Sequence, residues 1–230
     1  NQSVLNLGYV ANGPLFQYAT LREYLKEDVK NIIWLYYEND IFDLDRDLKS
    51  NILLEYLKDK NFSQNLKIKQ KKIDNSLDEF LIKVEALEAK KLLIDKKEKS
   101  SLVYKIEKFL TLKNIRELFL NKYLLKYNIE KKIRPEFEQI LSKSKELSDK
   151  NNSKFYFVFL PSFERYAYGY DKDQILYNQI KNIVNKLNIK FIDIHKEFLN
   201  SKKNPLKYFP FQTSGHYNVE GYKEVSKIIY

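Results

Sequence analysis

An α/β fold with a mostly parallel sheet is what this sequence predicts, on three observations. Two near-continuous apolar runs, Asn31-Ile32-Ile33-Trp34-Leu35-Tyr36-Tyr37 and Lys154-Phe155-Tyr156-Phe157-Val158-Phe159-Leu160, read as strands buried on both faces, as parallel sheets require. Stretches with apolar residues at helical spacing lie between the strand-like runs. Each run stops at polar or proline-bearing residues, Glu38-Asn39-Asp40 in one case and Pro161-Ser162 in the other. Strands alternating with helices are the pattern of crossover-connected parallel sheets.

Taken in order, Val4-Leu5-Asn6-Leu7-Gly8 is expected to be a short strand ending at Gly8, with a loop through Asn12-Gly13-Pro14. Leu15 to Lys26 reads as a helix, with Leu15, Tyr18, Ala19, Leu21 and Leu25 on one side. Asn31 to Tyr37 is the next strand. Residues 43–150 turn to Lys, Leu, Ile and Glu with helical periodicity, a long helical insertion or cap within the domain. Its aromatics, among them Phe109, Phe119, Tyr123 and Tyr127, read as packing residues. After the strand at Lys154 to Leu160, the pattern predicts a helix over Gln174 to Leu187. A strand over Phe191 to His195 and a last helix over Tyr222 to Ile229 follow.

The composition narrows the function classes. With 43% hydrophobic and 15% aromatic residues, 230 residues suffice for one domain with a real core. The formal charge of +10 invites a nucleic-acid partner, but Arg22, Arg46, Arg116, Arg134 and Arg165 are the only arginines among 41 basic residues. Arginine does most of the bidentate work on phosphates and base edges. Nucleic acid is therefore not expected as a partner. Cysteine is absent, so neither a disulfide framework nor a thiolate metal site is available. The residues call for no metal, no cofactor and no membrane span.

Ligands of parallel sheets bind beyond the carboxyl ends of the strands. Gly8, Asn39, Asp40, Ser162 and the loop Ser214-Gly215-His216-Tyr217-Asn218 are all expected at or beyond such ends. A histidine there suits a general base, because imidazole titrates near neutrality. The Asn39 amide is a neutral donor at any pH, and a glycine amide can approach a substrate without a Cβ in the way. Each signal has a plain structural alternative. Asn39-Asp40 could simply cap a turn, and His216-Tyr217-Asn218 could cap a helix. His195 reads as a structural or surface residue.

Asn6-Leu7-Gly8 with Gly13-Pro14, Glu38-Asn39-Asp40-Ile41, and Gly215-His216-Tyr217-Asn218 before Gly221-Tyr222 resemble three of the four sequence blocks of the SGNH (GDSL-like) hydrolases. The resemblance covers the first 45 residues and roughly the last 80. It implies a flavodoxin-like three-layer α/β/α sandwich, with residues 1–230 as one such domain, incomplete at its N-terminus. It implies a serine-dependent ester hydrolase or O-acyltransferase acting on a small acyl ester, with carbohydrate as one carrier of the acyl group. His216 would be the base, with Gly8 and Asn39 donating to the oxyanion. Asn12, Asp40 and Ser162 are the residues expected to touch substrate.

The pattern departs from the family in three places. No Gly-Asp-Ser block occurs, so the nucleophile and the central first strand are expected on a segment N-terminal to Asn1. Thr213 stands three before His216, where the family has Asp. Tyr37 or Glu38 stands where the third block has glycine. The alternative is a catalytically inactive binding module of the same fold. Compartment stays open, with the periplasm or cell envelope slightly favoured by the resemblance.

Overall fold

The computed structural model describes residues 3–9, 11–99, 133–167, 171–213 and 215–230, without side chains at 89–99 and 171–173. The chain forms two compact units, residues 1–64 with 131–230, and residues 65–130. In the second unit a helix, α4 (Gln70–Lys99), is described. Phe109, Phe119, Tyr123 and Tyr127 lie outside the described residues.

The first unit holds α1 (Pro14–Tyr24), β1 (Asn31–Tyr37), α2 (Asp40–Asp47), α3 (Asn51–Lys58) and α5 (Pro135–Lys150). Then follow β2 (Lys154–Leu160), α6 (Phe163–Ala167), α7 (Asp171–Lys186), β3 (Lys190–Asp193), α8 (Ile194–Glu197) and α9 (Val219–Ile229), with three 3-10 turns between α8 and α9. The fold is α/β, with a small all-parallel sheet in the order β1-β2-β3. The register aligns Tyr37 with Leu160 and Phe159 with Asp193, so the strand ends share one rim.

Period-2 alternation splits the strands between two apolar clusters. Ile32, Trp34 and Tyr36 join Phe155, Phe157 and Phe159 in one, packed by α1, α5 and α7. Tyr37, Val158, Leu160 and Ile192 join the other with residues of α6, α8 and α9. Stacked rings of Tyr36 and Phe157, 5.2 Å apart, tie the two strands within the first cluster. Alanine would lose most of such a ring's contribution, about 3–5 kcal/mol.

Three expectations need correction. β1 is buried on one face only: Ile33 and Leu35 are 47% and 49% exposed. The apolar run predicts a strand covered on both faces, but no described element covers β1 over those two residues. Val4 to Gly8 is not a strand. Its residues are mostly exposed, Val4 at 90%, and without a neighbouring ladder an extended segment has no strand partner. β3 ends at Asp193, not at His195: the Asp193 side chain accepts from Lys196 N at 3.0 Å and starts the short helix that carries His195.

Candidate active site

The rim begins where β1 runs into Glu38. Its backbone N donates to Leu160 O at 3.0 Å and extends the ladder by one step. The Glu38 carboxylate then turns inward. It accepts from Ser162 N at 3.0 Å and from Arg165 Nε at 3.1 and 3.0 Å, with Arg165 Nη2 completing a two-pronged pair. Both side chains are almost wholly buried. The guanidinium also lies over the rings of Tyr177 and Phe159, 5.5 and 5.9 Å from their centroids. Such geometry meets the conditions under which a buried ion pair is tolerated: matched forks and satisfied remaining donors. It locks the ends of β1 and β2 together.

Asn39 and Asp40 follow directly and divide their roles. Asn39 is exposed at the N-cap of α2, yet its side chain makes no capping bond. The capping alternative thus fails for Asn39, and its amide faces solvent. Asp40 does the local work. Its Oδ2 accepts from Tyr37 N at 3.1 Å and from Gln17 Nε2 at 3.4 Å. Burial lifts the Asp40 carboxyl to about 7, against the pull of those two donors, with Asp43 and Asp47 adding to the rise. Gln17 Nε2 also donates to Asn12 O at 3.1 Å, which connects Asn12 to the same strand end. Asn12 itself is buried and lines a shallow recess with Phe16, Arg46, Asp47 and Leu53; Asn39 and His216 are not part of that recess.

The loop before α9 brings His216 to the rim. Tyr217 anchors it, donating from its hydroxyl to Pro161 O at 2.7 Å. Asn218 caps α9 by accepting from Gly221 N at 2.9 Å, and its Nδ2 donates to Lys207 O at 2.8 Å. The capping alternative is therefore true of Asn218. It does not extend to His216, which is exposed, with its ring centroid 4.2 Å from that of Tyr37. Tyr37 also donates from its hydroxyl to Gly215 O at 3.2 Å. Gly215 has φ 88°, a left-handed conformation that glycine adopts without strain.

The structure thus gathers Asn39, Asp40, Ser162 and His216 at the ends of β1 and β2. Ser162 is buried at 6% exposure, and its amide is committed to Glu38. Gly8 does not stand at a strand end, which corrects that expectation: it is exposed, and its amide donates to Asn6 Oδ1 at 2.9 Å. His195 is half-buried, with Nδ1 2.8 Å from the Tyr166 hydroxyl, which fits its structural reading. Burial and the Arg165 charge push its pKa down.

Sequence reasoning missed the Glu38–Arg165 pair and the contact of Tyr37 with His216. The available signal was a lone arginine three residues beyond Pro161-Ser162 in an arginine-poor chain. Among the described residues no group of three or more His, Asp or Glu side chains could hold a metal ion, and no helix is long and apolar enough to cross a membrane. No protein-family model, no curated protein and no solved structure matches the chain.

Proposed function

We propose that the rim of this sheet is the site of serine-dependent acyl-ester chemistry of the SGNH type, hydrolysis or O-acyl transfer, on a flavodoxin-like three-layer α/β/α frame. The observation that carries the reading is an exposed imidazole, His216, packed on Tyr37, the last residue of β1, two residues before Asn39, whose side chain makes no capping bond. His216 takes the proton from the attacking serine hydroxyl and returns it to the leaving alcohol oxygen. Asn39 donates to the oxyanion that forms between those events. The serine is one that the resemblance puts ahead of Asn6-Leu7-Gly8.

The test is turnover of p-nitrophenyl acetate by protein that carries the segment to which the resemblance assigns the serine. Asn39→Ala is expected to lower kcat about 10²–10³-fold, the usual effect of one oxyanion donor. His216→Ala is expected to bring turnover down towards the uncatalysed rate. Equal rates for wild type and both variants would reject the reading. The second reading is a binding module without turnover. What favours it is that Thr213 Oγ1 donates back to Pro210 O at 3.4 Å, leaving His216 without the acid the resemblance expects at that position.

A further inference from the structure

We infer that Tyr37 positions His216, standing in for the carboxylate that orients a catalytic histidine; this rests on the reading of His216 as the base. Three contacts support it. The Tyr37 and His216 rings are 4.2 Å apart at 54°, so the imidazole rests on an aromatic surface. The Tyr37 hydroxyl holds Gly215 O, the carbonyl that leads into His216, at 3.2 Å. Tyr37 is itself fixed: it is the last residue of β1, 9% exposed, and its ring meets Tyr217 edge-on at 6.3 Å.

The chemistry explains why an aromatic ring can serve. When His216 accepts a proton from the serine hydroxyl, it becomes an imidazolium. An aromatic face attracts a cation through its quadrupole, modestly at an exposed site such as that of His216. A carboxylate does the same task by charge and by fixing the tautomer. Tyr37 supplies charge stabilisation through the ring and orientation through the loop carbonyl, but leaves the tautomer unconstrained. Thr213, turned back onto Pro210 O, supplies neither.

Two histidines in the chain make the test clean, because each imidazole gives its own proton resonance. The whole protein is compared with Tyr37→Leu and Tyr37→Phe. Tyr37→Leu should move the His216 resonance as the ring current disappears, while the His195 resonance stays and reports an intact fold. Its kcat on p-nitrophenyl acetate should fall about tenfold or more with KM little changed, the pattern of a misplaced catalytic group. Tyr37→Phe keeps the ring but loses the bond to Gly215 O, so it should recover the resonance position and only part of kcat. An unmoved His216 resonance in Tyr37→Leu overturns the inference, as does a wild-type kcat in that variant. If instead His216→Ala keeps full kcat, the base assignment fails, and the resonance still reports separately whether Tyr37 holds the ring.

Discussion

Replacing Arg165 by methionine should expose how much of the rim depends on one buried ion pair. Arg165 and Glu38 have side-chain exposures of 6% and 7%, and the guanidinium is the carboxylate's only ionic partner among the described residues. Methionine fills similar space without charge, so Glu38 would keep Ser162 N and lose both guanidinium prongs. Removing one member of such a pair costs about 3–5 kcal/mol, because the other charge is left in the interior. With a urea m-value of about 3 kcal/mol/M, that lowers the unfolding midpoint by about 1–1.7 M. The assay is urea unfolding followed by far-UV circular dichroism. Adding Glu38→Gln to Arg165→Met removes the stranded charge while retaining an acceptor for Ser162 N. The double variant should regain at least half of the loss. A change below about 1 kcal/mol in Arg165→Met would refute the reasoning, since that is the range of solvent-exposed pairs.

Three further outcomes follow from named contacts. Asp40, raised from an ordinary 3.8 to about 7, binds its proton more tightly folded than unfolded, so stability should fall as pH rises from about 4 to 7. Asp40→Asn should flatten that slope and be more stable than wild type at pH 7; an unchanged slope in pH-dependent unfolding would contradict it. A Cβ on Gly13 would sit 2.3 Å from Asp47 Oδ2 and 2.8 Å from the Asp43 carbonyl carbon. Gly13→Ala should therefore cost about 1–3 kcal/mol, read as a lowered Tm, and a wild-type Tm would mean that α1 and α2 are not so closely apposed. On β1, Trp34→Ala should cost about 3–5 kcal/mol. Leu35→Lys should change stability by about 0.5 kcal/mol or less, as exposed positions do. Comparable losses at the two positions would show that both faces are covered.

The sequence carried the strands better than their surroundings. Both central runs, residues 31–37 and 154–160, fall where the apolar pattern and the following polar stops put them. Continuous apolar runs are strong local signals, but they do not say whether both faces are covered, and Ile33 and Leu35 show the difference. Val4 to Gly8 has strand-like residues, and strand formation needs a partner that local pattern cannot supply. At β3, the Asp193 cap turned the chain into a helix two residues early, a short-range competition that periodicity overlooks. The polar stops after the two runs put Asn39, Asp40 and Ser162 at strand ends, whereas His216 reaches the rim through the contacts of Tyr37 and Tyr217, which local pattern does not encode. The Glu38–Arg165 pair was not, because it joins residues 127 apart and depends on which strands are neighbours.

The most direct measurement is covalent labelling with a fluorophosphonate probe, with the modified peptide identified by mass spectrometry. In protein that carries the segment to which the resemblance assigns the nucleophile, one labelled serine is expected there, with labelling lost in His216→Ala and much slowed in Asn39→Ala. Absence of label in the wild type, or labelling indifferent to His216, would contradict that expectation and leave the rim as a binding surface.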